Sequence, residues 1–267
     1  MKIIPKFKAQ EILYKARNHE LVIGAHVFFA NFEITEAFGF MGYDFVWIDG
    51  EHSAFDKEKT LMNIIAANSG GTASFVRVPW NDPVLIKPIL EMGPDGIIIP
   101  MIASAEEAGR AVAACMYPPE GIRGFGPRRA NRYGTVDNNT YLGNVNQSFL
   151  RIMQIEHYKG VENLDEIMDV SGVDVIMVGP NDLSGSLGLL GQTRHPEVMK
   201  WFDKLADKCI RANMPFGTSL GASDTESIKD WVDRGVSLIG CADDLGFVTS
   251  GGQATLAMVK GLRSKQE

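Results

Sequence analysis

The sequence has few cysteines, no long apolar run and no excess of basic charge, and each shortage excludes a class of protein. Cys115, Cys209 and Cys241 are the only three cysteines; they are far apart, odd in number and in no C-x-x-C pair. A disulfide framework and a thiolate metal site are therefore not expected, and free thiols in a reducing, cytoplasmic compartment are. No apolar stretch reaches the roughly 18 residues of a membrane span. The opening MKIIPKFKAQEILYKARN is amphipathic and has no small-residue cleavage site, so it does not read as a signal peptide. The net charge of −7 argues against a nucleic-acid or anionic-membrane surface. No Walker sequence occurs, and Gly121, Gly124 and Gly126 match no nucleotide fingerprint. No serine or cysteine sits in a nucleophile elbow. No lysine lies in a strand-like run, Lys159 being closest, which disfavours a Schiff-base mechanism.

What is present is a regular alternation. The 267 residues are 45% hydrophobic, a size and composition suited to one α/β barrel of about 250 residues. A leading helix is expected over 7–18, where Ile12, Leu13 and Ala16 have helical spacing. Strands are expected at 21–29, 43–48, 73–78, 95–100, 151–156, 174–178, 215–219 and 236–241. Helices between them are expected at 33–40, 56–68, 83–92, 104–115, 161–170, 197–213 and 225–234, with a last helix from about 250 to 262. Asp56 is a plausible N-cap, as is Asn81 or Asp82 ahead of Pro83. The pattern breaks between Tyr117 and Gln147, where Gly, Pro and Arg dominate; so long a loop in a compact domain is more often functional than neutral. Eight strand–helix units without a shift in composition predict a single (β/α)8 barrel over 1–267.

Barrel chemistry sits at the C-terminal strand ends. Two strands there end in carboxylates, Glu156 after MQI and Asp182 after VGPN, with one helical crossover between them. A right-handed strand–helix–strand unit brings both to one edge, where two hard oxygen ligands suit a divalent cation such as Mg²⁺ or Mn²⁺. Taken alone, Glu156 reads equally well as a solvated carboxylate. Asp49, Glu51 and His52 follow the second strand. His52 alone suggests an ordinary, partly buried histidine; with its acidic flanks it is a reasonable general base. Arg77 stands in the apolar FVRVP, where an unpaired charge is costly, so it needs a ligand oxyanion or a structural partner such as Asp49 or Glu51. His157 would point away from Glu156 and reads as structural. Gly179 to Ser184 can begin a short helical turn whose N–H groups face an anion.

These residues carry a resemblance. WIDGEH at 47–52, VRVPWNDP at 76–83, YPPEGIRGFG at 117–126, QIE at 154–156, GVDVIMVGPNDLSGSLG at 172–188 and HP at 195–196 together resemble the HpcH/HpaI aldolase family, metal-dependent class II pyruvate aldolases. The resemblance implies a barrel of the phosphoenolpyruvate/pyruvate type, commonly a hexamer with exchanged C-terminal helices. It implies Glu156 and Asp182 as ligands of Mg²⁺, Mn²⁺ or Co²⁺, His52 as the base and Arg77 as the cation at the enolate oxygen. Gln154 would lie beside the site, and the backbone at Asn181 and Asp182 would hold the pyruvate carboxylate. Two positions depart from the family pattern. Glu91 stands where members often carry an aspartate that partners the histidine across a subunit contact. PRRANRY at 127–133 replaces a serine- and alanine-rich stretch, a change that bears on the acceptor aldehyde and not on the pyruvate half. Arg128, Arg129 and Arg132 point either to an acidic or polyhydroxylated acceptor or to a solvated or subunit-contacting loop.

The expected reaction is reversible aldol cleavage of a 4-hydroxy-2-oxo acid to pyruvate and an aldehyde. The rivals are an acyl-CoA lyase or synthase on the same barrel and a non-catalytic oxo-acid-binding protein.

Overall fold

A strand of four to six residues leaves both edges unpaired, and this chain satisfies all of them by closing the sheet. In the computed structural model, which describes residues 7–221 and 224–263, eight parallel strands pair in chain order and the last returns to the first. They are β1 (Val22–Val27), β2 (Phe45–Asp49), β3 (Ala73–Arg77), β4 (Gly96–Ile99), β5 (Leu150–Ile155), β6 (Val175–Val178), β7 (Phe216–Ser219) and β8 (Leu238–Asp243). The leading helix α1 (Lys8–Arg17) precedes them; the first six residues of the amphipathic opening lie outside the described residues. Around the barrel run α2 (Phe32–Phe40), α3 (Lys57–Ser69), α4 (Pro83–Glu91), α5 (Ala105–Cys115), α6 (Asn138–Leu142), α7 (Tyr158–Glu162) and α8 (Leu164–Met168). They are followed by α9 (Pro180–Ser186), α10 (Pro196–Arg211), α11 (Thr225–Asp233) and α12 (Asp244–Arg263). The expected (β/α)8 barrel is the observed fold.

Local chemistry sets several boundaries. Asp56 accepts the Lys59 N–H at 2.8 Å and starts α3. Asp82, not Asn81, accepts the Val84 N–H at 2.7 Å, with Pro83 at the first helical position. Ser104 caps α5 through the Glu107 N–H at 3.2 Å.

Inside the barrel, large and small residues interdigitate. The Phe45 and Phe75 rings stack with centroids 4.9 Å apart. Glycines make the room: a Cβ on Gly96 would lie 2.6 Å from the Phe75 ring, and one on Gly24 would collide with the Phe45 ring. The apolar face of α1, Ala9, Ile12, Leu13 and Ala16, packs on Val22, Leu150, Val175 and Leu238, the first or second residues of their strands, and so plugs the N-terminal end.

Four expectations are corrected. The crossover after β5 is not one helix over 161–170 but two short ones, α7 and α8. Asn163 divides them, and its side chain donates to the Ala103 carbonyl at 2.9 Å. The last helix begins at Asp244 rather than near 250. The low helix propensity of Gly251 and Gly252 hides a start that is fixed by Asp243 and Asp244 accepting the Gly246 and Leu245 N–H groups. The eighth strand is 238–243 rather than 236–241 and carries a bulge: Gly24 pairs with Gly240 but Ala25 with Ala242, leaving Cys241 as the extra residue. The stretch 117–147 holds α6 and two 3-10 turns at 129–134 and 145–147, each too short to show a period.

Replacing Gly24 by Ala should lower stability by about 1–3 kcal/mol through overpacking. Urea unfolding checks this, and adding Phe45→Leu to Gly24→Ala should recover part of the loss.

Candidate active site

The strand register brings a buried acid to a buried base. Asp49 and Arg77 are register partners at the ends of β2 and β3, and both side chains turn inward. Arg77 grips Asp49 as a fork, Nε to Oδ1 at 3.0 Å and Nη2 to Oδ2 at 2.7 Å. Its Nη1 pairs with Glu51 Oε2 at 3.1 Å, and its guanidinium lies over the Trp47 ring, 5.2 Å from the centroid. The structural pairs considered for Arg77 are thus both formed, and Arg77 still lines the rim cavity.

Asp49 also organises the turn that follows it. Its Oδ1 accepts the backbone N–H groups of Glu51 at 3.0 Å and His52 at 3.3 Å. Burial opposes its ionisation, but hydrogen bonds from His26 and Arg77 and the Arg77 charge outweigh burial and hold this carboxyl well below the ordinary range. His52 emerges from this turn mostly exposed, with Nε2 3.7 Å from Glu51 Oε2. Burial pushes Glu51 upward, against the pull of Arg77 and His52.

A second acidic group follows another strand. Glu156 directly follows β5 and is buried. Its Oε1 accepts the N–H of Met101 at 2.7 Å, and its Oε2 accepts from the Gln154 amide. Met101 holds a left-handed backbone, φ 58°, the kind of local strain that clusters at functional sites. A side chain on Gly179 would collide with the Glu156 carboxylate, so glycine is required where β6 leaves the barrel. Burial is the largest cause pushing Glu156 up to about 7, with the negative charges of Glu51 and Asp182 adding to it. Asp182, in the first turn of α9, is exposed and lines the cavity, as does Asn181.

The cavity has a volume of about 420 Å³, and His26, Trp47, His52, Arg77, Gln154 and Asp182 are in its wall. Among the described residues no group of three or more His, Cys, Asp and Glu side chains is placed to hold a metal ion. The oxygen donors nevertheless fit a hard divalent cation, which needs only one or two carboxylates and keeps several waters. Glu156 is a buried carboxylate without a cation partner among its recorded bonds, and Gln154 Oε1 is buried with no hydrogen-bond partner among the described residues.

Two residues fall differently from the rest. Glu91 ends α4, a helix that runs away from the rim. Its recorded partners in this chain are Arg123, at 2.9 and 3.2 Å, and Tyr117, at 3.5 Å. His26 was not singled out in the sequence, yet it is buried in the cavity wall. Like Arg77, His26 is a polar residue inside an apolar strand, LVIGAHVFF. His157 is structural as expected: its Nδ1 accepts the Lys159 N–H at 3.2 Å. Lys159 itself is exposed.

A closed (β/α)8 barrel with its ionisable groups gathered at the C-terminal rim is the architecture of a barrel enzyme. The chain belongs to the HpcH/HpaI aldolase/citrate lyase family, whose family model matches residues 23–246. It is accordingly a lyase of the aldolase type. It is 38% identical over 232 residues to a 5-keto-4-deoxy-D-glucarate aldolase of Citrobacter koseri, a match covering 86% of this chain and 89% of that protein. Among solved structures it is similar to an HpcH/HpaI aldolase/citrate lyase family protein from Burkholderia cenocepacia, with a TM-score of 0.87, 28% identity and coverage of 94% and 99%. It is also similar to the citrate synthase SbnG, with a TM-score of 0.82, 29% identity and coverage of 96% and 98%.

Folded Glu156 keeps its proton up to about pH 7, whereas its ordinary value is 4.5. The folded state therefore binds more protons in that window, and this group's contribution is lost as pH rises through it. In chelator-treated protein, Glu156→Gln should remove a fall in stability of about 3 kcal/mol between pH 4.5 and 8. Urea unfolding at both pH values checks this; a wild-type-minus-variant difference that does not change with pH would contradict it.

Proposed function

We propose that the chain catalyses reversible, divalent-metal-dependent aldol cleavage of a 4-hydroxy-2-oxo acid, giving pyruvate and an aldehyde. The observation that carries this reading is the division of charge between two buried carboxylates at the strand ends. Asp49 is gripped by the Arg77 fork, whereas Glu156, beside Gln154 Oε1, has no cation partner among the described residues. The relatives named 5-keto-4-deoxy-D-glucarate aldolases support it. Numbered from its keto end, that compound is a 2-oxo acid with a 4-hydroxyl, the pattern a retro-aldol step requires.

Glu156 and Asp182 would hold the cation, which when bound supplies Lewis-acid polarisation of the 2-oxo group. The backbone N–H groups at Asn181 and Asp182 would receive the substrate carboxylate. His52, directly or through a water, takes the proton of the C4 hydroxyl. The electron pair of that O–H bond becomes the aldehyde carbonyl, and the C3–C4 bond breaks toward pyruvate enolate. Arg77 is preoriented by Asp49 and Glu51 and donates to the developing oxyanion. Protonation at C3 releases pyruvate.

Free thiols at Cys115, Cys209 and Cys241 support a reducing, cytoplasmic setting. A homo-oligomer, as in the hexamers of the family, belongs to the same reading. Leu256, Met258, Val259 and Leu262 on α12 are each more than half exposed, an apolar set suited to a second copy of the chain.

Pyruvate release from a panel of 4-hydroxy-2-oxo acids should stop with chelator and return with Mg²⁺, Mn²⁺ or Co²⁺. Release indifferent to chelator, with borohydride trapping of an adduct, would replace this mechanism by a Schiff base. Arg77→Lys keeps a cation beside Asp49 but loses the fork. It should lower kcat about 10²- to 10³-fold, and steady-state kinetics on folded protein would measure this.

A further inference from the structure

The donors to Asp49 come from two sides of the barrel. Glu51 and His52 N–H lie on its own turn, and Arg77 is on the adjacent strand. The remaining recorded donor is His26 of β1, whose Nε2 lies 3.3 Å from Asp49 Oδ2. His26 Nδ1 in turn lies 3.1 Å from Ser219 Oγ, at the end of β7. His26 therefore ties the Asp49 carboxylate to β1 and β7, which none of the other recorded donors reaches.

A second path joins the same two groups. The His26 ring is stacked between Phe28, at 4.1 Å, and Trp47, at 5.0 Å. The Arg77 guanidinium also lies over the Trp47 ring, 5.2 Å from its centroid. Four planar groups thus stand in sequence, ending on the cation that would meet the enolate.

We propose that His26 is a positioning residue of the rim: its Nε2–H fixes the rotation of the Asp49 carboxylate, and through it the Arg77 fork and the His52 turn. The tautomer follows from the partners. An ionised Asp49 only accepts, so the proton is on Nε2, and Nδ1 accepts from the Ser219 hydroxyl. Burial lowers the proton affinity of His26, which keeps the imidazole neutral. A carboxylate's terminal torsion is soft, and at 3.3 Å this bond contributes more to direction than to stability. Without it, Asp49 can turn, and its hydrogen-bonded partners turn with it.

The inference rests on the reading that Arg77 and His52 serve the reaction, and its test separates the two. His26→Phe keeps the stack and loses both hydrogen bonds; His26→Gln places an amide N–H near the position of Nε2 and loses the stack. For pyruvate release, His26→Phe should lower kcat about ten- to a hundredfold at nearly unchanged KM, since the oxo-acid end is held elsewhere. His26→Gln should recover most of kcat. Equal losses in both variants, or none in His26→Phe, would overturn the proposal. Nitrogen-15 imidazole spectra of the wild-type enzyme give a readout that does not need turnover. A signal lost in His26→Phe should be the Nε2–H tautomer at neutral pH; an Nδ1–H tautomer or an imidazolium would overturn the assignment. If the wild-type enzyme released no pyruvate, the aldol reading would fall, and the spectra would still decide whether His26 donates to Asp49.

Discussion

One buried negative charge organises the working end of this barrel. The Asp49 side chain has no exposed surface, and a carboxylate in that setting persists only if donors surround it. The chain supplies them from its own turn and from the two strands that flank β2. Each of those donors belongs to a residue at or beside the rim cavity, so the demand of one buried charge places Arg77, His26 and the Glu51–His52 turn at once. Removing Arg77 would leave that charge uncompensated, which links the site to the stability of the fold.

The carboxylate after β5 follows the reverse logic. Glu156 is also buried, but it receives only a backbone N–H and an amide, and two other carboxylates act on it. Two buried acids thus have opposite proton affinities, Asp49 driven down by His26 and Arg77, Glu156 driven up by burial. The pair differs in its partners: Asp49 holds a cation of the protein, and under the proposed reaction Glu156 would hold the metal. Gln154 marks the boundary, with its amide committed to Glu156 and its carbonyl oxygen uncommitted.

The barrel was legible in the sequence because its strands are short, apolar and separated by helices with recognisable caps, such as Asp56 and Asp82. The rim residues were legible because charge at the end of an apolar run has few explanations. The errors share a cause: a distant contact overrides local preference. Asn163 breaks a helix to reach the Ala103 carbonyl, and two adjacent aspartates start α12 despite the glycines within it. The last strand runs two residues later than its apolar stretch suggests, and its bulge at Cys241 has no local signature. His26 carries no signal in the sequence because a histidine in a strand suggests nothing until its side chain is seen to reach Asp49. The part of Glu91 was legible only as a resemblance, and within one chain its recorded partners are Arg123 and Tyr117.

The packed interior described above has a consequence for traffic. Phe45, Phe75, Ile98, Ile152 and Met177 form a solid floor beneath the cavity, and α1 seals the far end. Among the described residues, then, the barrel interior offers substrate and fragments no passage through it, and under the proposed reaction they share the rim side. Under the proposed reaction the oxo-acid end rests toward buried Glu156 and the acceptor end lies nearer the opening. The fragment formed last in line from the wall is the first that can leave, so a dead-ended barrel imposes an order of departure, aldehyde before pyruvate, and in the synthetic direction the reverse order of arrival.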